Sequence, residues 1–512
     1  MSFRLARRWR LSWLMLSASL VATSAWAADP PPGAGGSAPP ADANSGAAPV
    51  AAPLAEPSDP AKASSPDPSA PPAADPGAPE AASGSAAEEP LSSPGAEAAA
   101  PDSAGPAEEF ATEEEAAPEP SPASGSLRLG YWSSNRKLDD VQNIGSVALW
   151  TRIAPKFGRH VLLVADGWVR YDDLFRRSAP AGTLREAYLD FSLGAVDFRV
   201  GRQIVVWGRA DGVNPTDNIS PRDLTLLVPD DDDQRSGATA TKTNVYLGSF
   251  TLSGMWLPGF RPHVIPIPPL PAGVVAHETS PSFRQSLGQG AFKLEQTGGA
   301  LDWSLSYFGG YDKYPDFALG TMSATETQVL LRHERIHVVG GDFASVVGKY
   351  GVRGEASFTF TKDTNGTDPT IKNPFLYLVL GVDRTFFENL NVNAQYLLRV
   401  ITHFQDPFQI QDPLLRNLAV QGDTLNNQLD PIQNGGTLRI HDRWYNETLQ
   451  AELMGAFWFP RFNYLLRGRV SYALSDRWKI IVGADYFNGQ LPSFFRTFEK
   501  NTTAFAEARL GF

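Results

Sequence analysis

Three stretches of this 512-residue chain carry residue types at spacings that could do chemistry. His333-Glu334-Arg335-Ile336-His337 has the HExxH spacing, which on a helix brings two histidines onto one face to hold zinc, with the glutamate as general base. Asp230-Asp231-Asp232-Asp233 sets four carboxylates side by side, hard oxygen donors of the kind Ca²⁺ takes. The third stretch, Gly201 to Asp223, reads GRQIVVWGRADGVNPTDNISPRD. It sets Arg202, Arg209 and Arg222, with Arg199 just before them and Arg235 just after, against Asp211, Asp217 and Asp223. Paired charges of this density can build a field that acts on a passing solute. Asn214-Pro215 and Ser220-Pro221 are turn formers that hold such a segment in one shape, with Trp207 at its entry.

The elements around these residues decide between them. The HExxH flanks read VLLRHERIHVVGGDF, rich in β-branched residues and closing on Gly340-Gly341. On a strand, His333, Arg335 and His337 share one face and Glu334 lies opposite, so the zinc geometry is lost. The aspartate run lacks the glycine and the distal glutamate of a calcium loop, and is expected to be a solvated loop. With no cysteine in the chain, thiolate chemistry and disulfides are excluded as well. No catalytic residue, metal or cofactor is expected.

The chain divides by composition into 1–27, 28–125 and 126–512. Met1 to Ala27 carries Arg4, Arg7, Arg8 and Arg10, an apolar run from Leu11 to Val21 and the small-residue pattern Ala25-Trp26-Ala27, the plan of a secretory signal peptide. Residues 28–125 hold 22 of the 42 prolines and 17 acidic residues against the single Lys62, which predicts a disordered Pro/Ala/Glu-rich linker. The remaining domain is balanced at 39 basic and 39 acidic residues. That balance gives no basic footprint for nucleic acid.

From Ser126 onward the sequence falls into alternating segments of about ten residues. Val196, Phe198 and Val200 share a face against Asp197, Arg199 and Gly201. Trp478, Ile480, Val482, Ala484 and Tyr486 form an apolar face with an aromatic at each end. The chain closes on TTAFAEARLGF, with Ala504, Ala506, Ala508, Leu510 and Phe512 on one face and Thr503, Phe505, Glu507, Arg509 and Gly511 on the other. A last strand of this pattern with a terminal phenylalanine resembles those of bacterial outer-membrane β-barrel proteins. The resemblance implies an all-β fold, a transmembrane antiparallel β-barrel of about 16 strands, 18 being the alternative. It also implies recognition of Phe512 by the barrel-assembly machinery, contact with outer-membrane lipid and lipopolysaccharide, and the 28–125 tail in the periplasm. Short turns at 154–158, 194, 249 and 298–299 alternate with long connections, as in such barrels. Residues 402–445, rich in amides and aspartate, read as a loop.

The Gly201-Arg202-Gln203 and Trp207-Gly208 element, with Trp256-Leu257-Pro258-Gly259-Phe260, Gly341-Asp342-Phe343 and Gly483-Ala484-Asp485-Tyr486-Phe487, is similar to uncharacterised proteobacterial barrels and more distantly to alginate-export porins. In porins the loop after the fifth strand enters the lumen. By that resemblance Arg199, Arg202, Trp207, Arg209, Asp211, Asp217, Arg222 and Asp223 would form a constriction in a channel for a small organic solute, or the tryptophan, glycine and prolines would brace the strand end. An export or envelope-assembly barrel whose tail recruits a periplasmic partner is the alternative, and an outer-membrane hydrolase a third.

Overall fold

The computed structural model describes residues 122–134, 142–172, 181–265, 272–499 and 502–512. The expected signal peptide and nearly all of the expected linker lie outside these residues.

Among the described residues eighteen long strands of one sheet run in chain order, with a two-residue strand, Lys156–Phe157, as an extra in the connection after the second. They are β1 (Ala123–Ser134), β2 (Asn143–Ile153), β3 (Val161–Asp172), β4 (Ala181–Leu193), β5 (Val196–Gln203), β6 (Ala238–Leu247), β7 (Phe250–Trp256), β8 (Gly290–Gln296) and β9 (Leu301–Tyr311) in the first half. The second half holds β10 (Arg335–Val347), β11 (Tyr350–Phe360), β12 (Phe375–Phe386), β13 (Leu390–Ile401), β14 (Ile432–Trp444), β15 (Leu449–Phe459), β16 (Asn463–Ala473), β17 (Trp478–Gly489) and β18 (Thr503–Gly511). Each pairs antiparallel with the next, and β18 returns to β1 with Leu510 opposite Leu127 and Phe505 opposite Trp132. Among the described residues closure leaves this ring without an unpaired edge strand. Gly125 and Phe512 exchange backbone hydrogen bonds of 2.9 and 3.0 Å across this seam.

The strand number is therefore 18 and not 16. The strand hidden in the expected 402–445 loop is β14. Its outward positions include Asn434, Gly436 and Asp442 beside Ile432, Leu438 and Trp444, so the apolar alternation that marks the other strands is broken. Eight short turns, from 154–160 to 474–477, lie at the end of the barrel that holds Phe512. At the opposite end run the long connections 204–237, 257–289, 312–334, 361–374, 402–431 and 490–502, with 460–462 the short exception. The β4–β5 turn is two residues long and needs Gly194 at φ 62°, a left-handed conformation that glycine adopts without a Cβ penalty.

Alternation places the side chains as the terminal strand suggests. Thr503, Phe505 and Glu507 are buried toward the interior. Leu127, Leu129, Leu149, Val169, Leu189, Leu453, Leu466 and Val482 stand exposed on the outside. Tyr464 and Tyr486 neighbour one another on the outer face with ring centroids 6.0 Å apart. Such an exterior is stable only against an apolar medium. Among the described residues no helix is long and apolar enough to cross a membrane, which says nothing of strands.

Above the barrel wall, strands Asp316–Met322, Thr327–Arg332 and Val274–Thr279 form a separate three-stranded sheet. A helix, α1 (Pro413–Asn426), packs on it through Leu418, Val274, Val329 and Phe317. Asp412 starts α1 by accepting from the Leu414 and Leu415 amides at 2.8 and 2.9 Å, with Pro413 in the first turn where its missing N–H costs nothing. Lys372 ties this layer together, donating to Asp312 Oδ2 at 2.7 Å, to the Tyr314 carbonyl at 3.1 Å and to Asn426 Oδ1 at 3.0 Å.

Candidate functional site

The segment between β5 and β6, residues 204–237, bonds to inward side chains on both sides of the barrel. Its first anchor is Glu355 on β11, which is 2% exposed. One carboxylate oxygen accepts from the Thr216 amide at 2.7 Å and the Thr216 hydroxyl at 2.8 Å, and the other accepts from the Ala210 amide at 3.2 Å. Gly208 makes the approach possible. It holds φ at 93°, and a Cβ there would stand 2.3 Å from Glu355 Oε2. Val205, Trp207 and Ile219 are buried against Ala238, Ala240, Met255, Ala291, Phe308, Ile336 and Val338, small and apolar inward residues of the near wall. Ala210 and Val213 pack with Val379, Leu397, Trp458 and Leu465 further round the ring.

Charges continue the pattern. Arg209 pairs with Asp342 of β10 and with Glu295 of β8, the latter at 2.6 Å. Asp211 faces Arg439 of β14 at 3.3 Å. The aspartate run reaches the far side: Asp230 binds Arg469 of β16 at 2.5 Å and Arg509 of β18 at 3.0 Å, Asp231 binds Arg467 of β16 at 2.6 Å, and Asp233 binds Arg128 of β1 at 2.5 Å. Leu227 packs on Trp132, Ile144, Ile481 and Phe505 beside them. These four aspartates are thus no free solvated loop. Only Asp232 among them has a largely exposed side chain, and Arg235 pairs with it at 3.2 Å. For Asp230, burial pushes the carboxyl pKa up, but Arg509 and Arg469 outweigh burial and hold it below the ordinary carboxylate value.

The eight residues singled out from the sequence divide into groups. Arg209 and Asp211 project from the loop to the wall. Asp217 binds Arg235 at 2.6 Å and lies 3.7 Å from Arg222, so these three hold the loop to itself. Asp223 closes a turn, accepting from the Thr225 amide and hydroxyl at 3.0 and 2.5 Å. Arg199 faces inward on β5, 2.6 Å from Asp190 and with its guanidinium 4.5 Å from the Tyr188 ring centre. Arg202 departs from the expected lumen position. It shares the outward face with Val200 and turns back to the Gly237 carbonyl at 3.4 Å. Trp207 is 5% exposed and packs in the apolar cluster against the near wall. Sequence reasoning passed over Glu355, Glu295 and Arg439 and met Asp342 only as part of a resemblance, because the partners of these wall charges lie far away in the chain.

The HExxH residues do not converge. His333 precedes β10, donating from Nδ1 to the Asp312 carbonyl at 2.8 Å while Nε2 faces Glu278 at 3.2 Å. His337 lies on the outer face of β10 against the Tyr307 hydroxyl at 2.7 Å. Glu334 binds Lys362 at 3.0 Å.

No protein-family model and no curated protein matches this chain. Solved structures with a similar fold include a loop-deletion mutant of OmpT, an outer membrane protein of Vibrio cholerae, at 12% identity and a TM-score of 0.37 over 76% of this chain and 98% of that one. A mutant of the Rh. blastica porin gives 12% and 0.37 over 76% and 99%. OccAB4 of Acinetobacter baumannii gives 11% and 0.43 over 76% and 96%. At this identity and overlap the likeness brings no function across.

Proposed function

We propose that this chain is a channel of the bacterial outer membrane for a small polar organic solute, and that segment 204–237 sets its constriction. The observation that carries this reading is the loop's bridging of the interior. Arg209 reaches β8 and β10, while Asp230 reaches β16 and β18, so one segment connects opposing walls. A closed ring with an apolar outside and charged residues inside suits lipid on one side and an aqueous path on the other. Any solute on that path meets the loop's exposed edge and the charges it presents. Arg199, Arg209 and Asp211, with Glu295, Asp342 and Arg439 of the wall, are the side chains that set the local field. Asp217, Arg222 and Asp223 keep the loop in shape, and Trp207 anchors it.

Planar-bilayer recordings of the purified full chain test this. Stable unitary openings that grow when 212–234 is deleted support a channel with this loop as constriction. A barrel that is folded yet silent with and without the loop defeats the channel reading.

A further inference from the structure

The loop stands on two feet of different physical character. The first, at 205–219, is buried: Glu355 takes three donors, Trp207 and Ile219 sit in an apolar cluster, and Arg209 lies between two wall carboxylates. The second, at 230–233, is held by ion pairs of Asp230 and Asp231 that water reaches from the aspartate side and by a buried pair, Asp233 with Arg128, whose side chains are 13% and 8% exposed. The Asp230 and Asp231 side chains are 39% and 46% exposed. Both oxygens of Asp231 accept from a single nitrogen of Arg467, at 2.6 Å each, while the Nε and Nη2 of that guanidinium serve Asp485. Such a bifurcated contact lacks the two parallel bonds that make an arginine fork strong. Screened, partly exposed pairs of this kind exchange easily for other anions.

Beneath the second foot lies a continuous basic wall. Arg467 and Arg469 on β16, Lys479 on β17, Arg509 on β18 and Arg128 on β1 come from four consecutive strands of the ring. Lys479 stands directly opposite Arg509 in the ladder, and its side-chain ammonium makes no hydrogen bond or ion pair among the described residues. Like charges set opposite one another across strands are destabilising. The wall's own acids are Asp485 and Glu507, with Glu452 of β15 reaching Arg469 at 3.0 Å. The five bases outnumber these three acids, one of which, Glu452, is shared with Arg439 at 2.6 Å, and the loop's Asp230, Asp231 and Asp233 offset the excess.

We propose that this wall is a binding surface for a small solute carrying two or more adjacent anionic groups, carboxylate or phosphate, and that the loop's aspartates occupy it as internal stand-ins until such a solute displaces them. The carboxylates of Asp230, Asp231 and Asp233 mark where the solute's anionic groups sit: between Arg469 and Arg509, on Arg467, and on Arg128. Displacement frees the second foot while the first stays docked, so the loop swings as a flap on its Glu355 anchor. The consequence for passage rests on the channel reading; the binding and the displacement do not.

Hydrogen–deuterium exchange across 224–236 in the full chain, reconstituted in liposomes, tests the displacement directly. Citrate and pyrophosphate are the multivalent probes and acetate the monovalent control, all at matched ionic strength. The expected result is exchange faster by roughly tenfold with citrate or pyrophosphate than with acetate. Equal exchange in the three anions reduces the effect to screening and overturns the proposal. The triple substitution Asp230→Asn, Asp231→Asn, Asp233→Asn is expected to exchange fast without any probe and to respond no further; slow exchange in that variant also overturns it. Because the anion comparison uses the unmodified chain, it decides even where the variant fails to fold. Conductance recorded in parallel separates the two claims: faster exchange in a barrel that never conducts upholds the displacement and defeats the channel.

Discussion

Glu355→Ala should release the first foot of the loop while leaving the barrel closed. The substitution removes the acceptor of three hydrogen bonds, from the Thr216 amide, the Thr216 hydroxyl and the Ala210 amide, at a site only 2% exposed. A buried donor left unsatisfied costs about 1–3 kcal/mol, and three cost roughly 3–9 kcal/mol if none finds water. Discounting by half for water entering the vacated space still leaves a few kcal/mol, and each 1.4 kcal/mol is a factor of ten in the docked-to-undocked ratio. The docked-to-undocked ratio should therefore fall by about ten- to a hundredfold, judged on the lower half of the discounted range. Trypsin reads this out, because Arg209 and Arg222 are protected only while the loop is seated. The variant should be cut in 204–237 under conditions that leave the native chain whole, with strand content by circular dichroism unchanged. Glu355→Gln keeps an acceptor for the two Thr216 donors and should be intermediate. Native-like protection in Glu355→Ala would refute the assignment of Glu355 as the loop's anchor.

Other outcomes follow from the same contacts. Gly208→Ala forces a Cβ against Glu355 at positive φ and should destabilise the docked loop by about 1–3 kcal/mol, seen as the same tryptic cleavage. Burial pushes the Asp316 carboxyl up to about 6, with Lys372 opposing it. Its folded-state pKa is raised above the unfolded value, so its contribution to stability is complete below about pH 4 and is lost as pH rises through about 6. Amide exchange in α1 and the three-stranded sheet should accordingly quicken between those values, and Asp316→Asn should flatten the dependence. His333→Ala should loosen the 312–334 connection by breaking its contacts to Asp312 and Glu278, whereas His337→Ala should not, a difference readable by local exchange. Removing residues 28–121 should leave conductance intact if the barrel acts by itself, and loss of conductance would favour a tail-recruited partner.

Much of the fold was legible because a closed barrel writes a period of two into every strand. On β18 the alternation of alanine and leucine against threonine, phenylalanine, glutamate and arginine needed no partner to be read, and the register with β1 agrees with it. β14 escaped because three of its outward positions are Asn434, Gly436 and Asp442, which mimic a loop. The strands at 316–332 pair outside the barrel, with each other and with Val274–Thr279, a choice that local pattern cannot encode. The loop after β5 was recognisable from its density of charge, glycine and proline. Its anchors were not, since Asp230 meets Arg469 and Arg509 across separations of 239 and 279 residues. Read alone, a run of four aspartates looks solvated; its neutralisation by arginines from β1, β16 and β18 exists only once the ring has closed. Arg202 was misplaced for a simpler reason. One step along a strand reverses the face, and Gln203, fully buried, is the inward neighbour.

The most direct test of the central claim is single-channel conductance of the full chain in planar bilayers, compared with the same chain lacking 212–234. The account predicts discrete openings in both, larger in the deletion, with wild-type openings enlarged further by Glu355→Ala. Folded barrels that stay closed in both forms would contradict it.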